Sequence, residues 1–263
     1  MGSKTEIGHV VWHDLLTQDV TKARRFYADL LSWNYQIEHA SNFVWGAGEA
    51  DYPLILADGE AHGGFVHVGQ GIHIPSCWIA YVMVMDVDAV STKAKSLGAT
   101  IEREPFDTPG VGRSAVIRDL QGAIICLTCP THSFPAPRGT FLWDELITND
   151  AVSAKLFYGE LFGWRFHDTG TDQTDGYTIL KCADDTDAAG MMTPSLSVEG
   201  FPGWVTYLAT NDVDVTVTKA NVLGAHVIAE GFDQLTGGRK AVLLDPTGAV
   251  FGLLKPNNPA FMN

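Results

Sequence analysis

The spacing of apolar side chains predicts four amphipathic helices, each of which follows an apolar strand and an aspartate. After the first aspartate, apolar residues recur every three to four positions, which is the period of one helix face. An aspartate at a helix start can accept hydrogen bonds from the free N–H groups of the first turn. The helices are therefore predicted to begin at Asp19, Asp86, Asp150 and Asp212.

Glycines mark the predicted ends of two of these helices. The helices that start at Asp86 and Asp212 are shorter, and they are followed by Gly98 and Gly224. Glycine adopts the left-handed conformation that commonly ends a helix, because it has no Cβ. Short β-rich runs between the helices predict that the remaining elements are strands.

The first half of the chain repeats in the second half. Trp143 lies 131 residues after Trp12, and segment 8–33 aligns with segment 139–164 at this offset without a gap. Further along, the offset falls to 126, so about five residues are missing from a loop in the middle of the second repeat. A repeat of this length indicates two similar domains. We predict domains at 6–130 and 139–257, joined by a proline-rich linker at 131–138.

Each predicted domain divides again into two modules with one order of elements: strand, helix and three strands. The fold class is therefore α+β, with four βαβββ modules. The module rhythm also predicts an Asp-x-x-Gly turn before the last strand of each domain, at Asp119 and Asp245.

Composition excludes several function classes. The formal net charge of −14 argues against nucleic-acid binding, which needs clustered Lys and Arg. No apolar run approaches the roughly 20 residues that span a bilayer, and the start carries no secretory signal. Cys126 and Cys129 lie in an apolar run that predicts a strand, where residues three apart point to opposite faces, so a redox or zinc pair is not expected. We expect a reduced, cytoplasmic compartment, with no membrane partner.

The four modules, the strand–Asp–helix starts and the final Asp-x-x-Gly turns resemble the vicinal oxygen chelate superfamily. This superfamily includes glyoxalase I, extradiol dioxygenases and bleomycin-resistance proteins. The paired openings Trp12–Asp19 and Trp143–Asp150, and the ending Asp245–Pro256, more closely resemble two-domain Cfp30B-like proteins. The resemblance implies glyoxalase-like domains in which paired modules form half-open β-barrels with the helices outside.

In metal-dependent members, the resemblance implies His, Glu or Gln ligands at fixed distances from the helix-capping and turn aspartates. A further ligand position falls near Phe65 to His67. The other six implied positions hold Trp12, Ile79, Cys126, Trp143, Val205 and Gly252. Of these residues only Cys126 can bind a metal, and one soft ligand does not make a hard-cation site. We therefore expect no metal and no cofactor.

Two carboxylates are the candidate catalytic residues. Strand side chains alternate faces, so if Trp12 points into its barrel, Asp14 does too, and Glu145 accompanies Trp143. A carboxylate in an apolar pocket has a raised pKa and can act as a general acid or base. The alternative is that each carboxylate hydrogen-bonds backbone or a tyrosine and holds the barrel seam. His13 should then face away from the barrel.

The candidate ligand-binding residues each have a structural alternative. The indoles can stack on a planar ligand or fill the volume of a lost metal site. The tyrosines can donate a hydroxyl hydrogen or pack in the core. The arginines can clamp an anionic ligand or pair with a nearby acid. These candidates are Trp12, Trp143, Tyr81, Tyr207, Arg113 and Arg239.

Other polar residues give weaker indications. His62, His67 and His73 surround a glycine-rich segment without a second ligand set, so a metal site is not expected there. The acidic run 184–187 lacks the glycine and terminal glutamate of a calcium loop and predicts a solvated turn.

Three functions fit these patterns. The leading hypothesis is a metal-independent protein of the glyoxalase and bleomycin-resistance type that binds a small molecule in an aromatic-lined pocket of each domain. A second is a lyase, isomerase or hydrolase that uses Asp14 or Glu145, or a metalloenzyme with ligands at other positions. A third is a scaffold whose barrels are filled. Fused repeats can satisfy pairing internally, so a monomer or weak homodimer is expected.

Overall fold

The computed structural model describes residues 6–40, 50–57, 59–69, 74–131, 140–169, 177–193, 202–234 and 238–257. His73 and residues 132–138 of the predicted linker at 131–138 lie outside these described residues. The first module comprises β1 (Val10–Thr17), α1 (Val20–Leu31), β2 (Asn34–Ala40), β3 (Ala50–Ala57) and β4 (Glu60–His67). The second comprises β5 (Cys77–Met83), α2 (Val87–Ser96), β6 (Thr100–Thr108), β7 (Gly112–Arg118) and β8 (Ile124–Pro130).

The second half of the chain has the same order of elements. The third module comprises β9 (Phe141–Ile147), α3 (Ala151–Phe162), β10 (Arg165–Asp168), β11 (Tyr177–Lys181) and β12 (Asp187–Met192). The fourth comprises β13 (Gly203–Ala209), α4 (Val213–Val222), β14 (His226–Gln234), β15 (Gly238–Leu244) and β16 (Val250–Lys255). The prediction of four βαβββ modules is confirmed.

The four aspartates cap the four helices as predicted. In each case the carboxylate accepts a hydrogen bond from the backbone N–H three residues later, at 2.9 to 3.0 Å. Gly98 and Gly224 follow α2 and α4 with φ of 97° and 95°, the left-handed conformation expected from the sequence.

The strands form two eight-stranded mixed sheets with identical order. The first sheet runs β2-β3-β4-β1-β5-β8-β7-β6, and the second runs β10-β11-β12-β9-β13-β16-β15-β14. In each sheet the first strand of a module pairs in parallel with its last strand, as β1 with β4 and β9 with β12. The sheets are open, so the predicted α+β fold with tandem domains and half-open barrels is confirmed.

The chain forms two compact units that combine segments from both repeats. One unit contains residues 1–12, 80–134 and 143–204, and the other contains 13–79, 135–142 and 205–263. Each unit has its own apolar core of strand and helix residues, with Phe65 of β4 in one core and Phe157 of α3 in the other. The domain boundaries at 6–130 and 139–257 stay a prediction from the repeat.

The helices are short, with 10 to 12 residues each. Within the described part of the chain, none of them has the length and apolar character needed to cross a membrane.

Candidate functional site

Glu145 lies at the centre of a hydrogen-bonded cluster on the second sheet. It is fully buried in β9, where its register partner on β12 is Gly190. The Nε1 atom of Trp143 donates a 2.8 Å hydrogen bond to the hydroxyl of Tyr177 on β11. That hydroxyl is in turn hydrogen-bonded to the Glu145 carboxylate. Since a phenol has one proton, indole, phenol and carboxylate form a directed donor chain.

A glycine makes this cluster possible. A Cβ built on Gly190 would overlap the hydroxyl oxygen of Tyr177 and would lie 2.7 Å from Trp143 Nε1. Any side chain at this position would therefore push the phenol and the indole away from the sheet. Glycine is required at position 190 because the Tyr177 and Trp143 side chains pack directly against its backbone.

The phenol of Tyr177 remains protonated well beyond neutral pH. Burial raises its pKa, and the nearby charge of Glu145 raises it further, while the hydrogen bond from Trp143 opposes the shift. The hydroxyl is therefore a stable donor to Glu145 throughout the physiological range.

The first repeat contains a matching pair. Asp14 on β1 is 4% exposed and accepts a 2.6 Å hydrogen bond from the hydroxyl of Tyr52 on β3. The register partner of Asp14 on β4 is Gly64, and a Cβ there would overlap the Tyr52 ring. Leu54 pairs with Gly64, and Ile179 pairs with Gly190. Tyr52 and Tyr177 each lie two residues before the paired residue on their strand, so they occupy equivalent positions in the two repeats.

Neither Tyr52 nor Tyr177 is among the candidate residues predicted from the sequence. A tyrosine partner was one of the alternatives for the two carboxylates, and this is the contact that the structure contains. The identity of the tyrosines was available in the repeat, since Tyr177 follows Tyr52 by 125 residues and Gly190 follows Gly64 by 126. The strand pairing that brings tyrosine, glycine and carboxylate together was not predicted.

The two tyrosines predicted from the sequence as ligand-binding candidates lie on the first strands of the second and fourth modules. Tyr207 on β13 is fully buried, with its ring directly over Gly252 on β16. Tyr81 on β5 is 8% exposed and pairs in register with Cys126 on β8. Both tyrosines are thus buried side chains of the sheets, and a ligand-binding role for them stays a prediction.

A basic side chain that was not predicted from the sequence lies near each of these tyrosines. Lys240 on β15 is 1% exposed, and its Nζ lies 4.4 Å from the centre of the Tyr207 ring. Burial lowers the pKa of Arg103 on β6, and nearby Tyr81 and Cys126 oppose this shift. The guanidinium of Arg103 lies over the Phe106 ring, 4.6 Å from its centre. The buried ammonium of Lys240 is stabilised by the quadrupole of the Tyr207 ring.

The arginines proposed as anion clamps form ion pairs on the helix side. Arg113 contacts both carboxylate oxygens of Asp88, at 2.6 and 2.8 Å, and also Asp107 at 2.9 Å. Arg239 contacts both carboxylate oxygens of Asp214, at 2.9 and 2.7 Å. These contacts match the alternative expected for the two arginines, which was pairing with a nearby acid. They do not support a role in clamping an anionic ligand, which stays a prediction.

The side chains at the implied metal positions do not suit a hard divalent cation. Trp143 uses its one polar atom to donate to Tyr177, and the ring of Tyr207 covers Gly252. Phe65 is fully buried in the core, and His67 is exposed at the end of β4. Indole, aliphatic and glycine positions offer no oxygen or imidazole ligand. The other implied metal positions hold Ile79, Cys126, Val205 and the half-buried Trp12.

His13 faces away from Asp14, as alternation predicts, but it does not face solvent. Its ring is 2% exposed and stacks on Phe141, with centroids 4.4 Å apart. The side of β1 that faces away from the barrel, where His13 lies, therefore packs in the core of the compact unit.

Paired βαβββ modules in two open mixed sheets are the arrangement of the vicinal oxygen chelate class of proteins. Residues 142–254 match the model of a family described as a glyoxalase-like domain. The chain is 35% identical over 252 residues to the "Putative glyoxylase CFP32" of Mycobacterium tuberculosis, which covers 93% of this chain and 94% of the relative. The chain therefore belongs to the glyoxalase-like family of this superfamily.

Other relatives extend the comparison. The chain is 30% identical over 268 residues to the "Anthracycline biosynthesis protein DnrV" of Streptomyces peucetius, covering 94% of this chain and 93% of the relative. Among solved structures, 2,2',3-trihydroxybiphenyl 1,2-dioxygenase of Sphingomonas wittichii has a TM-score of 0.61 at 14% identity, with 94% and 90% of the two chains covered. The Mn(II)-bound glyoxalase of Novosphingobium aromaticivorans has a TM-score of 0.57 at 15% identity, with 95% and 84% covered. At these identities, the structural matches show the fold alone.

Proposed function

We propose that the chain binds a small, planar, hydroxylated aromatic molecule without using a metal ion. The cluster of Trp143, Glu145 and Tyr177 and the pair of Asp14 and Tyr52 are the proposed polar contacts, one set in each repeat. The single observation that carries this proposal is the directed donor chain that ends on the buried Glu145 carboxylate.

The chemistry of the cluster suits a hydroxylated aromatic ligand. A carboxylate can accept about four hydrogen bonds, so the bond from Tyr177 is compatible with a second donor from a ligand hydroxyl. A phenolic ligand donating to a charged carboxylate makes a stronger hydrogen bond than one donating to a neutral group. The half-buried Trp143 offers an aromatic face for stacking.

The name of one relative supports the ligand class. The protein from Streptomyces peucetius is named for anthracycline biosynthesis. Anthracyclines are fused planar ring systems that carry phenolic hydroxyls, which is the shape and polarity that an indole face and a buried carboxylate would recognise.

The absence of suitable ligand atoms at the implied metal positions supports the metal-independent part of the proposal. Catalysis by chelation of two substrate oxygens requires an ion held by several hard ligands. Trp12 and Trp143 occupy the first such position of the two repeats and offer none. We also propose that the chain works as a monomer or weak homodimer, without nucleic acid or membrane.

Isothermal titration calorimetry with 1,8-dihydroxyanthraquinone tests the proposal. Glu145→Gln keeps the shape and the acceptor for Tyr177 but removes the charge, so affinity is expected to fall about tenfold, since hydrogen bonds to charged groups are stronger by about 1 kcal/mol or more. Glu160→Gln, on the exposed side of α3, is the matched control and should leave affinity unchanged. Equal affinity of both variants would remove Glu145 from the site, and absence of any binding heat would reject this ligand class.

A second function is favoured by one observation, the burial of a carboxylate at the same position in both repeats. Such a group can remove or deliver a proton, as the name of the mycobacterial relative also suggests. If the chain is a lyase or isomerase, Asp14→Asn and Glu145→Gln should abolish turnover while the ligand still binds. Turnover that survives both substitutions would contradict a carboxylate mechanism.

A further inference from the structure

A cluster of three potential metal ligands lies apart from the carboxylate clusters. It contains His9, just before β1, together with Cys182 and Asp184, which follow β11. One ligand atom from each residue lies within 4.8 Å of the other two, and no other such group of His, Cys, Asp and Glu occurs among the described residues. All three belong to the same compact unit.

We propose that His9, Cys182 and Asp184 bind one divalent transition-metal ion, with Zn²⁺ as the expected occupant. The ion would join the segment before β1 to the turn between β11 and β12. This site shares no residue with the proposed ligand-binding clusters, so either proposal can fail without the other.

The turn after β11 holds two of the ligands in place. Cys182 N donates to Thr186 O at 2.9 Å, and Asp185 N donates to Cys182 O at 3.1 Å. Asp184 accepts hydrogen bonds from the backbone N–H and the hydroxyl of Thr186, at 3.1 and 2.5 Å. The acidic run 184–187 forms the predicted solvated turn, but the same turn places a thiol and a carboxylate on one side.

Backbone contacts bring the histidine to this turn. Gly8 and His9 form hydrogen bonds with Met83 on β5, each 2.9 Å long, and Trp164 Nε1 donates to Gly8 O at 2.8 Å. Gly8 has φ of 86°, and a Cβ there would lie 3.3 Å from Cys182 Sγ. Glycine is thus needed both for the backbone conformation and for the close passage of the chain beside the thiol.

The ring of His9 faces the turn. Its Nε2 atom lies 2.6 Å from Thr186 Oγ1 and 3.9 Å from Asp184 Oδ1. The side chains of His9 and Asp184 are 23% and 47% exposed, so both can rotate by the small amounts needed to reach a common ion. Cys182 is buried, so the ion would lie between a buried thiol and two partly exposed side chains.

The chemistry of the ligand set selects the ion. Imidazole, thiolate and carboxylate together suit Zn²⁺ and neighbouring transition metals, whereas Ca²⁺ and Mg²⁺ prefer all-oxygen sites. Bond lengths of about 2.0 to 2.3 Å in a tetrahedron bring ligand atoms to about 3.3 to 3.7 Å from one another, slightly closer than here. Water or the Thr186 hydroxyl would complete four-coordination. On binding, the Cys182 thiol proton passes to the buffer and the sulfur becomes the ligand.

Cobalt absorption tests this site directly, because Co²⁺ replaces Zn²⁺ and gives a charge-transfer band when bound to thiolate. The full chain, stripped of metal under reducing conditions, is titrated with Co²⁺ and then with Zn²⁺. We expect the band to saturate at one equivalent and to disappear when Zn²⁺ is added. The band should be absent in Cys182→Ser and unchanged in Cys129→Ser, whose half-buried thiol lies against the Met85 carbonyl.

Two further variants keep the test decisive if Cys182→Ser fails to fold. His9→Gln and Asp184→Asn alter partly exposed side chains, and each should weaken Co²⁺ binding about tenfold or more while the band persists at high Co²⁺. Zn²⁺ should raise the Tm of the wild type and of Cys129→Ser, but not of Cys182→Ser. A wild type without the band, or a band that survives in Cys182→Ser, would show that the cluster is a hydrogen-bonded turn and no metal site.

Discussion

The hydroxyl of Tyr27 donates a 3.0 Å hydrogen bond to the Asp245 carboxylate, although 218 residues separate the two in the chain. Trp78 Nε1 donates a 2.9 Å bond to the same hydroxyl, so the phenol links an indole to a carboxylate. All three residues belong to one compact unit. The contact ties the first helix of the chain to its final turn.

The other compact unit contains the same chain of hydrogen bonds. Tyr158 donates to Asp119 at 2.9 Å and accepts from Trp204 at 3.0 Å. Both tyrosines are fully buried. In both units, the second oxygen of the aspartate accepts backbone N–H groups of the Asp-x-x-Gly turn. The turn motif seen in the sequence is therefore also the anchor for a helix.

Removing this phenol hydroxyl should destabilise the fold. Tyr27→Phe leaves the Trp78 N–H without its acceptor and takes a donor from Asp245, so the free energy of unfolding should fall by about 1 to 3 kcal/mol. Urea denaturation measures this change. Tyr35→Phe is the control, since its half-buried hydroxyl donates to the Arg24 carbonyl and links no buried side chains in the described part of the chain, so it should cost less. Equal losses would mean that the buried network adds nothing beyond one ordinary hydrogen bond.

The stability of this network should depend on pH in an unusual direction. Burial raises the pKa of Asp245, although hydrogen bonds from Thr247 and Ala249 oppose the shift. A carboxyl with a raised pKa in the fold contributes most below its unfolded pKa of about 4. Its contribution is then lost as the pH rises through the folded pKa. The difference in unfolding free energy between wild type and Asp245→Asn should therefore shrink as the pH rises above about 4.

Asp214 provides the opposite case and the control. Arg239 lowers the pKa of Asp214, so this carboxyl contributes fully above its unfolded pKa of about 4 and loses its contribution as the pH falls through the folded pKa. The difference between wild type and Asp214→Asn should shrink below pH of about 4. Urea titrations at several pH values separate the two. Parallel trends for the two variants would refute the assignment of burial as the cause for Asp245.

Filling the space beneath the Glu145 cluster should disrupt it. Gly190→Ala places a methyl group where the Tyr177 hydroxyl lies, and such overpacking typically costs about 1 to 3 kcal/mol. If overlap with the phenol is the cause, the cost should be smaller in a Tyr177→Ala background than in the wild type. Additive losses across this double-mutant cycle would place the strain elsewhere.

Much of the fold was predictable from local rules, whereas the site was not. Asp19 and Asp150 marked helix starts because capping is a contact within one turn. The partner of Glu145 depended on the pairing of β11, β12 and β9, which brings Tyr177 over Gly190. Such pairing is non-local, and no local period in the sequence encodes it. Alternation along one strand could place Asp14 on a face, but it could not name Tyr52.

The helix-side arginines should be irrelevant to the ligand. Arg239 makes a bidentate ion pair with Asp214, so its guanidinium group is already bound to a carboxylate of the same unit. Arg239→Gln should leave the calorimetric affinity for 1,8-dihydroxyanthraquinone within about twofold of the wild type, since exposed pairs contribute little. An affinity loss as large as that of Glu145→Gln would restore the clamp hypothesis for this residue.

Ligand affinity in the complete absence of metal tests the central proposal most directly. The measurement is calorimetry of 1,8-dihydroxyanthraquinone with Cys182→Ser that has been treated with EDTA and dialysed, which also removes any ion held by the His9 cluster. We expect the same Kd as for untreated wild type, and no change when Zn²⁺, Mn²⁺ or Fe²⁺ is added back. Binding that vanishes on stripping and returns with one of these ions would contradict it.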